Sequence, residues 1–357
     1  MTVEPQAAVF ISVAHELVCH LTAVVEKQKN LEVGDRWFAR TRASMSPELL
    51  KAMAALDIGH GLHGPWSGLI GMTYTRRWVT VDDLLQGLES EPDNDLLLQV
   101  TGVEEFPASR EQMADWVLRT AAGEKVAVPD LGETGSHAYH GAHGLARWLP
   151  RLAPRLRELL IEIATLWRRD LFSAEEERLT AILQRDARAK QALAGRLSAR
   201  DLMEEATNGV AWVDQPGVEL IALIPTWVMR PWTLHHRARS TAIISYPVAD
   251  ESLGQNGGAV AARAVKLARV LADESRVRAI QLLASEPLSL QELADKLGLR
   301  KSTVHHHIAE LKAVGLLRVP MGTKRYSLRP EVLDRFGALL STLAKPAHVS
   351  RRGKRSE

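Results

Sequence analysis

Four short stretches of this 357-residue chain carry side chains whose type and spacing suit chemistry. Lys301-Ser302-Thr303 sets a cation and two hydroxyls in a row, ahead of His305-His306-His307. Lys324-Arg325 places two cations beside a turn. His137, His140 and His143 recur every third residue, and His60 and His63 share that spacing. Imidazoles are metal ligands, so each histidine set raises a metal reading. Neighbours on a helix point roughly 100° apart, so three successive histidines cannot all reach one ion. The 137–143 set lies among Gly132, Gly135, Gly141 and Gly144 and lacks the carboxylate that metalloprotease motifs place between their histidines. No metal ligand is therefore assigned. The chain has no Gly-x-Ser-x-Gly elbow, phosphate-binding loop or dinucleotide fingerprint. Its single cysteine, Cys19, excludes an internal disulfide and a cysteine metal cluster. No catalytic residue and no cofactor is expected.

The first two stretches gain meaning from the elements that must hold them. Ser289-Leu-Gln-Glu292 is a capping box opening a helix that Gly298 ends. A three-residue turn leads into a second helix over 302–314, and two short helices joined this way form a helix-turn-helix. On that second helix Val304, Ile308 and Leu311 share one side and should face the core. Ser302, His306 and Ala309 lie opposite, with Ala313 below and His305 and His307 on the flanks. A narrow face of small and hydrogen-bonding residues fits the major groove of DNA. Lys301, Ser302 and Thr303 stand at the helix N-terminus, where backbone N–H groups favour phosphate. The run LLRVP, a turn at Met321-Gly322-Thr323 and KRYSL predict a β-hairpin whose Lys324 and Arg325 can reach the flanking backbone. Helices over 261–272, 275–285 and 331–344 surround the motif. The DNA-binding candidates are thus Lys301, Ser302, Thr303, His305, His306, Lys324 and Arg325.

The segments "DESRVRAIQLL" and "ELADKLGLRKSTVHHHIAELKAVGLL", followed by the short hairpin, resemble in order and spacing the winged helix-turn-helix of ArsR/SmtB-type bacterial regulators. The stretch "ALIPTWVMRPW…ISYP" resembles the long N-terminal region of a subset of them. The resemblance implies a cytoplasmic homodimer that represses or activates a promoter until a signal relieves it. The metal-sensing members carry paired cysteines on the first helix of the motif, and Leu288–Glu292 has none. Others use His and Asp on the last helix, where only Asp334 stands. Sensing of arsenic or zinc at those positions is therefore not expected.

Charge separates this region from the rest. Residues 260–357 hold 19 Lys+Arg and 9 Asp+Glu, a net of +10, whereas residues 1–259 are net −8 within a total of +2. All nine Trp lie before residue 233. The expected organisation is a helical domain over 1–249, a glycine-bearing linker over 250–259, a winged helix-turn-helix over 260–345 and a basic tail over 346–357. Helices are read at 11–26, after Ser109, at 154–169, from a capping box at Ser173 to about Ala194, and at 198–207. A hairpin of 209–213 with 218–224, followed by a strand from Thr241, should close the first domain with a small antiparallel sheet. The fold class is mainly α with small β. Trp66, Trp148, Trp227 and Trp232 near Gly/Pro breaks leave room for a small-molecule effector cavity, with no ligand named. No apolar run is long enough to span a bilayer, and the N-terminus lacks the basic start of a secretory signal, so a cytoplasmic location is expected. The competing readings are an enzyme or metal sensor with a histidine-rich N-terminal site fused to a DNA-binding domain, and a scaffold whose first domain only dimerises.

Overall fold

The computed structural model describes residues 4–25, 31–56, 65–103, 110–129, 142–254 and 258–343. The chain is mainly helical with two four-stranded sheets. It divides into two units. The first comprises residues 1–207 and 214–248, and the second comprises 208–213 and 249–357.

The first unit opens with β1 (Gln6–Val9) and α1 (Val13–Val25). Helix α1 is buried on every side from Val13 to Ala23, as expected of a helix apolar around most of its circumference. It shares one apolar core with α2 (Gly34–Ser44), α3 (Pro47–Ala55), α4 (Pro65–Thr75), α5 (Val81–Ser90), α6 (Asp93–Val100), α7 (Arg110–Ala121), α8 (Ala142–Leu152) and α9 (Leu156–Trp167). One π-type turn, Arg168–Phe172, then carries the chain without a break into α10 (Ser173–Ala194). The capping box expected at Ser173 does not form. Ser173 is already helical, and its hydroxyl donates to the Arg168 carbonyl at 2.7 Å. Helix α11 (Ala199–Ala206) does start on a serine cap, the Ser198 hydroxyl accepting from Asp201 N–H.

The sheet of this unit is mixed, which corrects the antiparallel expectation. Its strands are β1, β3 (Leu220–Thr226), β4 (Leu234–Ala238) and β5 (Thr241–Pro247), in the order β1-β3-β5-β4. Strand β3 runs parallel to both β1 and β5, and only β4 is antiparallel to β5. Ile221–Thr226 is wholly buried, and a strand covered on both faces belongs at the centre of a parallel arrangement. The expected hairpin partner goes elsewhere. Its residues Val210–Ala211 form β2, a short strand of the second unit.

Polar groups are buried where α1 meets this sheet. His15 is fully buried and contacts the hydroxyls of Thr73 at 2.8 Å through Nδ1 and Ser245 at 2.9 Å through Nε2. The Thr73 hydroxyl donates to the Ile70 carbonyl, so it accepts from Nδ1–H, which leaves Nε2 to accept from Ser245. Burial pushes the imidazole down to about 4, against the opposing pull of the Glu16 carboxylate. Burial also works against ionising Glu16. His20 at 3.3 Å and the N–H groups of Trp227 and Val228, which donate to it at 3.0 and 2.9 Å, more than offset that and hold its carboxyl below the usual range.

The second unit consists of α12 (Gly258–Leu271), α13 (Glu274–Ser285), β6 (Leu288–Ser289), α14 (Leu290–Leu297), α15 (Lys301–Ala313), β7 (Leu317–Pro320), β8 (Arg325–Leu328) and α16 (Pro330–Leu343), with β2 added. Leu267, Leu283, Leu293, Val304, Ile308, Leu311, Leu317 and Val332 form one core through all of these helices. The sheet order is β2-β7-β8-β6, with β2 parallel to β7. The Val319 and Met321 N–H groups donate to the carbonyls of Gly209 and Ala211 at 2.8 and 2.9 Å. Gly209 has φ +115°, and a Cβ there would stand 2.0 Å from the Leu317 carbonyl oxygen, so only glycine permits this approach.

The buried His15 predicts a pH dependence of stability. A free imidazole titrates near 6.5, so the unfolded chain takes up this proton first as pH falls. The stabilisation from neutral His15 is complete above pH 6.5 and is lost down to about 4, amounting to about 3 kcal/mol. His15→Asn removes the ionisable group. Its unfolding free energy, measured by urea titration at pH 7, 5.5 and 4, should change by about 3 kcal/mol less than that of the unaltered protein. Parallel curves for the two proteins contradict the assignment.

Candidate nucleic-acid interface

The interface is built on two caps. Ser289 and Glu292 form the reciprocal box expected of them, with Ser289 N–H donating to the Glu292 carboxylate at 2.7 Å and Glu292 N–H to the Ser289 hydroxyl at 3.3 Å. Gly298 closes α14 in the left-handed conformation, φ 68° and ψ 30°. These ends fix the length of α14 and the angle at which the chain enters α15.

Arg300 is the N-cap of α15, and its side chain makes no capping bond. Thr303 N–H donates to the Arg300 carbonyl at 2.9 Å, and the Lys301 and Ser302 N–H groups have no acceptor among the described residues. Helices α13, α14 and α16 each carry a glutamate in their first turn, and α15 carries no acidic residue there. An uncompensated helix N-terminus beside exposed cations suits a phosphate. Arg300 and Lys301 are both exposed at that end. Arg300 did not stand out in the sequence, where it reads as part of the turn; its position next to a lysine at a helix start was the available signal.

The two sides of α15 divide as the spacing predicts. Val304, Ile308 and Leu311 are buried, while Lys301, Ser302, Thr303, His305 and His306 are exposed. Ala309 and Ala313 are half-buried. His307 turns inward and is buried, with no hydrogen-bond partner for its Nδ1 among the described residues. The His305-His306-His307 run is thus split between the outer and inner surfaces of the helix, which agrees with the geometric argument against a shared ion. No group of three or more potential metal ligands occurs among the described residues. His60, His63, His137 and His140, and the side chain of His143, lie outside those residues.

The hairpin β7–β8 turns at Met321-Gly322, with Gly322 at φ 71° and Thr323 N–H donating to the Pro320 carbonyl at 3.1 Å. Lys324 is exposed beside the turn. Arg325 is exposed too, but it is engaged. Its guanidinium donates to the Pro287 carbonyl at 2.6 Å and pairs with Glu292 at 3.1 Å. The bonds from Ser289, helped by the nearby Arg325, hold the Glu292 carboxyl below its usual range. Arg325 therefore ties the hairpin to the cap of α14, while Lys324 projects beyond that tie.

In the first unit, Trp66 and Trp148 are core residues. Trp227 lines a cavity of about 480 Å³ with His20, Trp37 and Trp167. His235 is exposed and His236 half-buried on β4. No helix among the described residues is long and apolar enough to cross a membrane.

Residues 271–320 match the family described as a helix-turn-helix domain. No curated protein and no solved structure matches the chain. The matched stretch runs from the end of α12 through β7 and contains the capped pair α14–α15. Residues 271–320 therefore carry a helix-turn-helix domain, a class of domain that suggests a DNA-binding regulator.

Two substitutions separate support from contact. Arg325→Ala should lower the stability of the second unit by about 1–2 kcal/mol, because it leaves the Pro287 carbonyl and Glu292 without their cation. Lys324→Ala should leave stability within about 0.5 kcal/mol. Thermal unfolding of the two variants checks the contrast; equal melting temperatures contradict the tie.

Proposed function

We propose that the protein is a cytoplasmic transcriptional repressor that binds double-stranded DNA as a homodimer through a winged helix-turn-helix. The outward side of α15 lies in the major groove, where His305 and His306 meet base edges. The hydroxyls of Ser302 and Thr303, together with the Lys301 and Ser302 N–H groups, hold a phosphate, and the Lys301 ammonium adds charge. The hairpin acts as the wing, with Lys324 as its phosphate contact. One observation carries this reading: α15 buries a complete apolar side yet leaves a polar side uncovered, starting at an N-terminus without carboxylates.

Dimerisation is supported by the flanking helices. Helices α12 and α16 pack together, and each leaves an aliphatic residue in solvent, Val265 at 50% and Leu340 at 46% exposure. Such residues are suited to a second copy. Two-fold symmetry implies a palindromic operator with half-sites about one helical turn apart. The resemblance to ArsR/SmtB-type regulators favours repression relieved by a signal, and the first unit is the part free to receive a small molecule. The reading is of a binding protein and not an enzyme. Among the described residues, the Ser245–His15 pair is buried in the core with both imidazole nitrogens engaged.

His306→Ala should lower discrimination between the selected operator and a one-base variant by about 1–3 kcal/mol, while affinity for unrelated duplex stays the same. Lys301→Ala and Lys324→Ala should weaken all duplexes alike and each reduce the slope of log affinity against log salt by about one. Fluorescence anisotropy with labelled duplexes at several salt concentrations reads both quantities. Unchanged discrimination rejects the base contact, and unchanged slopes reject the phosphate contacts.

A further inference from the structure

The first unit is acidic overall, yet it gathers arginines around one cleft. The cleft has a volume of about 940 Å³ and is bounded by α4, α6, the start of α7 and the turn between β4 and β5. Arg76, Arg110, Arg237 and Arg239 line it, with His236 beside them. Among the described residues of that lining, Asp95 is the one carboxylate. Its volume falls in the range of small-molecule sites, roughly 300–1,000 Å³.

Among the described residues, the charges of Arg237 and Arg239 are not neutralised by an ion pair. Arg76 is matched by a bidentate pair with Glu91. Arg237 spends its bonds on backbone carbonyls, donating to Arg239 at 3.2 Å and to Pro216 at 2.6 Å. Carbonyls hold the guanidinium in place without cancelling its charge. Arg239 is exposed at the tip of the two-residue β4–β5 turn, with φ 51°. A positive φ at such a turn ordinarily falls to glycine or asparagine. The turn is fixed at its base, where Glu219 and Leu220 N–H groups both donate to the Ser240 carbonyl. An arginine kept at a strained, anchored position is best explained by what its side chain does. The opposite wall is open: at Gly71 an added Cβ would meet nothing within 4 Å.

We propose that this cleft binds a small polyanion carrying two or more phosphate or carboxylate groups, held by Arg237 and Arg239 on the turn. Guanidinium forks match both kinds of oxyanion in bidentate fashion. A concave cleft walled by two helices favours a compact ligand over a nucleic-acid backbone. Its role as the effector site rests on the regulator reading given above; the binding itself does not.

The test uses the full chain, titrated calorimetrically with pyrophosphate and with citrate at matched ionic strength. Arg239→Gly removes the guanidinium while relaxing the backbone, so the fold is preserved. Arg237→Gln is the second variant, and melting temperature without ligand confirms that each is folded. At least one probe should bind the unaltered protein, and binding should weaken about threefold or more in either variant. The tighter probe identifies phosphate or carboxylate as the recognised group. Absence of binding by both probes overturns the proposal, as does a change smaller than about threefold in both variants. Weakened duplex binding by the variants without any probe binding also overturns it, and makes the cleft a DNA-backbone contact. Duplex binding by the unaltered protein, measured in parallel, reports separately on the regulator reading.

Discussion

Burial of one side of α15 is the constraint from which the interface follows. Val304, Ile308 and Leu311 are held against the core of the second unit, and a helix fixed by one side has no freedom to hide the other. Ser302, His305 and His306 are thereby kept in solvent, although no single bond of their own holds them there. The two caps at Ser289 and Gly298 complete the constraint by setting where α14 ends and α15 begins. The polar side that this helix leaves exposed is thus a product of apolar packing. The same packing explains why His307, adjacent to His306, has a different environment.

The hairpin is fixed from two directions. Arg325 joins β8 to the N-terminal cap of α14, and β2 pairs along the outer edge of β7. An exposed sheet edge invites pairing with other chains, and β2 covers one here. The residues doing so, 208–213, follow α11 and precede β3, so they leave and re-enter the first unit along the chain. Asn208 and Gly209 both take positive φ values at that departure, which lets the strand turn sharply toward β7.

Much of the second unit was legible in sequence because its signals are local. The capping box, the terminal glycine and the spacing of Val304, Ile308 and Leu311 each act within a few residues. The elements α12 to α16 accordingly fall close to their expected bounds. The first-unit sheet was less legible. The run at 218–224 and the turn before it have the form of a hairpin, but the strand it enters, buried over Ile221–Thr226, pairs on both edges with β1 and β5, which lie far away in the chain. Val210–Ala211 is too short to show which sheet it joins, and Gly209 marks only that backbones approach closely. Ser173 carries a valid capping motif that an uninterrupted π-type turn overrides. Of the predicted site residues, Lys301, Ser302, Thr303, His305, His306 and Lys324 are exposed where expected. The engagement of Arg325 depends on the folded position of Glu292 and has no sequence signature.

The central claim is that DNA meets the start of α15 and the hairpin turn. Hydrogen exchange of the full chain, with and without the tightest duplex recovered from a random pool, tests it directly. The account predicts that protection on binding concentrates at 300–306, where the Lys301 and Ser302 N–H groups take a phosphate, and at 321–325. Protection confined to the last residues, 346–357, or absent from 300–306 while the duplex is bound, would contradict it.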